Sequence, residues 1–397
     1  MTIYILYFQN QRKRYALYFI LLVLFVFIYL IEYKSFLKLN DNSPIIYQEK
    51  YLTYLPHSGF NNQRIALENA IFLAWYLNRT LIVPPLLLFK GVARVTFRPY
   101  DQLYKDLNTL TKTNILHDKH VAYTMWNWEE LMDFTFVKKN INYIHCQDFN
   151  FTHLTESLHI NNSSEVYKVT NSYQQQYYDD PTTEHDTLFE RVNLIDLRDR
   201  NEKLLHFGSL YARVKIIVQY PENQNFRSQL RFKMLINNLT MVDIVNKIIN
   251  KIGGTDSFIG VHARLGDGGF AKAKKRTVQK LIKRLQEDFK HIKVNNNSFC
   301  SQTKIYLATD VKKSNSFLKP FFQTFPCTYV LTDFNDLLVP LKSLKNPRDG
   351  KIMYEFLIRF VDLLTVSKGN KFYQTENSTF SDYAKDLNKI WLDTINN

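Results

Sequence analysis

His262 and Arg264 stand two residues apart at the end of an apolar run, Phe258-Ile259-Gly260-Val261, and Gly266-Asp267-Gly268-Gly269 follows them. At that spacing the two side chains share one face if the strand persists past Val261. A guanidinium presents a fixed fork of donors that matches a phosphate, and glycines let the backbone come close to a ligand. The stretch reads as the seat of a diphosphate such as a nucleotide sugar carries, with Arg264 stabilising the diphosphate as it departs. The plainer reading is an ion pair from Arg264 to Asp267 that only holds a turn.

To bring such groups together, a strand must run into a turn and then a helix, as at the carboxyl edge of an open α/β sheet. The sequence predicts the strand at Phe258–Val261. It predicts the helix from Thr277, with Thr277 as N-cap and Val278, Leu281, Ile282, Leu285 and Phe289 on the apolar face. A similar unit lies near the start of the folded body. Tyr51–Leu55 reads as a strand. His57 to Arg64 is a turn containing Gly59, and a helix over about 62–77 carries Ala66, Ala70, Leu73, Ala74 and Leu77 on one face; Leu81–Val83 is the next strand. Strand, helix, strand implies a parallel sheet. The helix start is a natural anion or polar-ligand site, and Asn61 also reads as a cap for it.

Beyond residue 240 the same alternation continues. Met241, Ile244, Val245, Ile248, Ile249 and Ile252 follow helical spacing. Ile305–Ala308 and Tyr329–Leu331 read as strands, the first ending at Thr309-Asp310. An apolar helix over about 351–366, a short strand at Phe372-Tyr373 and a final helix reaching Trp391 or beyond complete a doubly wound α/β domain. Residues 90–230 are less legible. Trp126 and Trp128 mark aromatic patches, 160–187 reads as a polar loop, and His206 to Leu210 as a small turn. This region completes the first domain and shapes an acceptor cleft. The expected organisation is a cytoplasmic tail (1–14), a membrane anchor (15–32), a stem (33–50), a first Rossmann-like domain on the acceptor side (51–235) and a second that binds the nucleotide sugar (236–397).

The chain's 51 Lys and Arg exceed its 37 Asp and Glu, for a net charge of +14. These residues are spread out and form no basic stripe interleaved with aromatics, which argues against nucleic acid as a partner. Arg12-Lys13-Arg14 precede an uncharged run from Tyr15 to Ile31. That order favours an amino terminus in the cytoplasm and a lumenal body. A short span suits the thin membranes of the early secretory pathway, and no small-residue cleavage site follows Ile31. Glycosylation acceptor tripeptides occur at Asn78, Asn150, Asn161, Asn162, Asn238, Asn296 and Asn377; Asn78 and Asn377 are expected to stay unmodified. In an oxidising lumen Cys300 and Cys327 could pair, leaving Cys146 free and buried.

No dinucleotide fingerprint, P-loop or kinase motif set is present, and there is no Asp-x-Asp pair of the kind that commonly holds a cation in sugar transferases. The expectation is therefore catalysis without a metal or other cofactor. Arg264, backbone N–H groups and a helix amino terminus would then meet the diphosphate charge. Ser378, Thr379 and Ser381, just before the last helix, suit that role and also suit plain capping.

Four motifs occur in order: His57-Ser58-Gly59-Phe60-Asn61-Asn62-Gln63-Arg64, Val261-His262-Ala263-Arg264-Leu265-Gly266-Asp267, Tyr306-Leu307-Ala308-Thr309-Asp310 and Ser378-Thr379-Phe380-Ser381. Together they resemble the GDP-fucose protein O-fucosyltransferase family, in a fungal-like branch, over roughly 51–90 and 255–385. The resemblance implies a GT-B fold, two Rossmann-like domains facing a cleft. It also implies a GDP-fucose donor, metal independence, inversion at the anomeric carbon and a protein or glycan acceptor. Such an enzyme would sit as a single-pass type II protein in the Golgi or endoplasmic reticulum membrane. By motif, Arg264 meets the β-phosphate and glycosidic oxygen, with His262 beside it. Asn61 and Asn62, in the turn with Gly59 and Phe60, line fucose and phosphate. Asp310 faces the guanine or ribose, and Ser378, Thr379 and Phe380 bind the pyrophosphate and flank the base. The departure is the general base: the first turn carries no acid before its helix, and Glu68, four residues after Arg64, reads as its ion-pair partner. His57 and Asp267 are the candidates. A transferase of another sugar or to a polysaccharide, and an inactive lumenal binding protein of the same fold, are the alternatives.

Overall fold

The computed structural model describes residues 49–396, apart from 92–94, 113–122, 185, 212–213 and 290–303. The expected tail and anchor, and nearly all of the stem, lie outside the described residues, as do Asn296 and Cys300. Among the described residues no helix is long and apolar enough to cross a membrane. Cys327 is disulfide-bonded. Cys146 is free and half-buried, and burial raises its thiol pKa.

Short, mostly apolar runs become parallel strands; those at the centre of each sheet are largely buried on both faces, the edge strands less so. β1 (Tyr51–Tyr54), β2 (Thr80–Val83), β3 (Tyr143–His145), β4 (Val166–Val169) and β5 (Leu204–Phe207) form one sheet in the order β3-β2-β1-β5-β4. Leu52 stands opposite Leu81 on one side and Leu205 on the other. β6 (Phe258–Ala263), β7 (Lys304–Thr309), β8 (Thr328–Tyr329) and β9 (Phe372–Tyr373) form a second sheet in the order β8-β7-β6-β9, where Val261 pairs with Leu307 and Tyr373. In each sheet the strand order reverses beside the first strand. Such a reversal leaves a crevice at the carboxyl ends, between β1 and β5 and between β6 and β9.

Five helices position the groups at those crevices. α1 (Phe60–Leu77) buries its expected apolar face, and also Asn61, Gln63, Arg64 and Asn69. It starts two residues earlier than expected. Gly59 is its N-cap and makes no side-chain bond, so Asn61 lies inside the first turn and is not the cap. α2 (Leu239–Ile252) buries all six predicted apolar residues. α3 (Gly268–Phe289) overturns the expected start at Thr277: the helix begins at Gly268, and Ala271 N–H donates to Asp267 O at 3.0 Å. Ala271 to Arg276 are good helix formers, but none of them is buried, so apolar periodicity is silent until Val278. α4 (Tyr354–Ser367) and α5 (Thr379–Asn396) match their predicted spans closely. α4 packs so tightly on β6 that a Cβ on Gly260 would lie 2.0 Å from Val366 O. The predicted strand Tyr329–Leu331 is shorter, because Leu331 opens a 3-10 turn in which Val330 N–H donates to Asp333 Oδ2 at 2.9 Å.

The region read as polar loop holds β4 and a further strand, Gln175–Tyr178, the centre of a three-stranded parallel sheet. Its polar residues satisfy one another on burial: Tyr177 and Tyr178 hydroxyls donate to Gln175 and Gln176 at 2.9 and 2.6 Å. An antiparallel pair outside the first sheet, Leu86–Phe89 with Tyr123–Trp126, has the helix Tyr100–Lys112 between its strands in sequence, and the buried Trp128 indole donates to Pro84 O at 3.1 Å.

Candidate active site

At the carboxyl end of the second sheet, Thr375 and Ser381 lace β6 to the start of α5. Thr375 Oγ1 donates to His262 O at 2.7 Å and accepts from Arg264 N–H at 3.1 Å, while Thr375 N–H donates to Ser381 Oγ at 3.0 Å. His262 Nδ1 lies 2.6 Å from the same Ser381 hydroxyl, and its ring packs on Phe380 at 4.3 Å between centroids. Burial, then the charge of Arg264, lowers the imidazole pKa to about 3, so His262 is neutral at ordinary pH. Ser378 Oγ accepts from Ser381 N–H at 3.4 Å, the capping contact at the start of α5.

Arg264 is held from two sides. Its Nε and Nη2 meet Asp267 at 3.2 and 2.6 Å, and Nε lies 3.2 Å from Asp310 Oδ2. The pair read as a plain turn device is therefore present. Asp310 also accepts from Leu265 and Gly266 N–H groups at 2.7 and 2.9 Å, so it braces the loop that carries Arg264. A Cβ on Gly266 would stand 2.9 Å from Asp310 Oδ2, which explains the glycine.

The first crevice is built from uncharged groups as far as Arg64. His57 is 1% exposed; its Nδ1 lies 2.8 Å from Ser58 Oγ and its Nε2 lies 2.7 Å from Ser209 Oγ, in the turn after β5. Burial lowers its pKa to about 4. Gln63 ties the turn to the antiparallel pair, donating to Ser58 O and Leu87 O and accepting from Leu87 N–H. A Cβ on Gly59 would meet nothing within 4 Å. Phe60 packs edge-on against Phe360 at 4.5 Å. Asn61 Oδ1 is buried and has no partner. Arg64 pairs with Glu68, as its spacing predicted, and lies 3.9 Å over the Tyr383 ring.

The two crevices are joined where Thr379 Oγ1 donates to Asn62 Oδ1 at 3.1 Å. This contact brings the amino ends of α1 and α5 together, and such ends favour anions. Two residues on α4 were not singled out in the sequence. Arg359 Nη2 donates to Phe89 O at 2.8 Å; burial, then Arg264, lowers its pKa. Burial pushes the Asp362 carboxyl up to about 7, against bonds from Tyr306 hydroxyl and Thr309 N–H that favour its charged form. One signal was available: the two stand three apart, on successive turns of a largely apolar helix. Among the described residues no group of three or more His, Cys, Asp or Glu could hold a metal ion.

A family model described as GDP-fucose protein O-fucosyltransferase matches residues 51–390. Among curated proteins, the chain is 37% identical over 79 residues to O-fucosyltransferase 30 of Arabidopsis thaliana; the match spans 20% of this chain and only 13% of that protein. Among solved structures, POFUT1 in complex with GDP-fucose is similar with a TM-score of 0.42 and 13% identity, over 87% of this chain and 95% of that one. NodZ alpha-1,6-fucosyltransferase soaked with GDP-fucose is similar with a TM-score of 0.42 and 13% identity, over 85% and 92%.

Proposed function

This chain belongs to the GDP-fucose protein O-fucosyltransferase family, and from that premise we propose that it transfers fucose from GDP-fucose to a hydroxyl of a protein Ser or Thr or of a glycan. The reading takes 51–235 and 236–397 as two Rossmann-like domains of a GT-B enzyme, anchored by residues 15–32 in the Golgi or endoplasmic reticulum with the body lumenal. The observation that carries it is the Asn62–Thr379 bond, which brings two helix amino termini together beside the sheet end that carries Arg264. In this scheme Arg264 leaves its aspartates to meet the β-phosphate and glycosidic oxygen. The start of α5, Ser378 to Phe380, holds the pyrophosphate, and the unpartnered Asn61 Oδ1 accepts a donor hydroxyl. The acceptor oxygen attacks the anomeric carbon from the face opposite GDP as the glycosidic bond breaks. Its proton passes to His57, neutral and able to take it once Ser209 releases Nε2, or to Asp267. The reaction needs no metal in this reading.

The test is calorimetric binding of GDP and GDP-fucose with EDTA present. Arg264→Ala should weaken GDP-fucose at least tenfold, ~1.4 kcal/mol. Binding of neither ligand by the wild-type protein would sink the reading. One further observation favours an inactive binding protein of the same fold: both ring nitrogens of His57 are hydrogen-bonded. GDP-fucose binding with no GDP release in the presence of acceptor extracts would select that alternative. Asn377 is exposed next to the α5 start; a glycan found on it by mass spectrometry would count against the donor site.

A further inference from the structure

Arg264 is a poor sole counter-charge for a departing diphosphate. Its one positive charge already faces two carboxylates, Asp267 and Asp310, so that cluster is net negative. A site that takes on negative charge as GDP leaves needs positive charge that is not already met. Arg359 has it. Its side chain is mostly buried, Nη2 donates to the neutral Phe89 O, and among the described residues no carboxylate pairs with it. The charge that acts on it is that of Arg264, a like charge. Two guanidiniums that repel each other, one lacking an acid, are an unfavourable arrangement that an anion bound beside them would relieve. The fold brings α4 to the donor turns: Phe360, the residue after Arg359, packs edge-on against Phe60 in the first turn of α1. Arg359 also keeps donors beyond the one that Phe89 uses, since a guanidinium has five.

We infer that Arg359 is a second diphosphate-binding residue, which together with Arg264 clamps the pyrophosphate of the nucleotide-sugar donor. The inference rests on the donor reading of the same site. As the glycosidic bond breaks, the electron pair stays on the β-phosphate oxygen, and Arg359 supplies the charge that Arg264 cannot supply alone.

Arg359→Gln tests it, because the amide can still donate to Phe89 O. Calorimetry on the full chain with EDTA would compare GDP, pyrophosphate and guanosine. The variant should lose tenfold or more in affinity for GDP and pyrophosphate and bind guanosine as the wild type does, and Arg359→Lys should recover part of the loss. Parallel losses for GDP and guanosine, or no loss for either, would overturn the inference while leaving the donor reading standing. A wild-type protein that binds neither GDP nor pyrophosphate would overturn both. If Arg359→Gln does not fold, phenylglyoxal labelling of the wild type decides: GDP should protect Arg359, and unchanged labelling would overturn the proposal.

Discussion

The turns after β1 and after β6 have the same layout, strand into turn into helix, but opposite chemistry. The first is neutral and buried: His57 has both ring nitrogens bonded, Gly59 opens onto empty space, and Asn61 and Asn62 are amides. The second is charged and half-open. Arg264 is 32% exposed against 41% for Asp267; Gly266 behind it is packed against Asp310 with no room for a methyl, while Gly268 and Gly269 are open. Each kind of turn suits a different kind of ligand. A charged turn is suited to a diphosphate, which is anionic. A neutral turn with space before it is suited to a sugar, which offers hydroxyls and no charge.

Acid should break this contrast most strongly, by forcing charge into buried positions. His57 titrates near 4, and His206 and His262 near 3, when folded, against about 6.5 when unfolded. Between those values the unfolded chain binds more protons. The stabilisation is therefore complete above pH 6.5 and is lost as pH falls toward 4 and 3, by about 3 kcal/mol or more per histidine. Urea midpoints should drop over that window, and His57→Gln should lessen the decline; a flat profile contradicts the assignment. Next in size is Gly260→Ala, which drives a Cβ to 2.0 Å from Val366 O and should cost about 3 kcal/mol or more, read as a lowered Tm.

The two aspartates beside Arg264 sharpen the comparison within the charged turn. Asp310→Ala strands two backbone N–H groups and should cost about 1–3 kcal/mol. Asp267→Asn touches a half-exposed pair and should cost under about 1 kcal/mol. Equal losses would mean that Asp310 does not brace the loop. Thr379→Val removes the bond to Asn62 and should cost about 1 kcal/mol. Smallest is Gly59→Ala, where a methyl meets no neighbour: stability should move by a few tenths of a kcal/mol. GDP-fucose affinity should nonetheless fall while GDP affinity holds, if the open space belongs to the sugar.

Much of this molecule is readable without coordinates. β6 and β7 announce themselves as apolar runs, and α2 by six residues at helical spacing that are all buried. Local hydrogen bonding and burial of one face are properties of a short window, so a short window reveals them. The early start of α3 was missed because its first turns face solvent and carry no apolar signal. The Gln175–Tyr178 strand was missed because glutamine and tyrosine look like loop until each satisfies the other inside the fold. The site divides in the same way. The motif residues after β1 and β6 stood out by type and spacing, whereas Arg359 and Asp362 sit inside a largely apolar helix whose facing cannot be known in advance. Strand order was likewise beyond the sequence, and so was the meeting of His57 with Ser209, 152 positions away, and of Asn62 with Thr379, 317 away. Local pattern marked most of the strands and helices and singled out the turns whose residue types suit a phosphate. Which polar groups meet follows from the packed fold, because a buried hydrogen bond depends on a partner whose approach is set by the packing of every element between them.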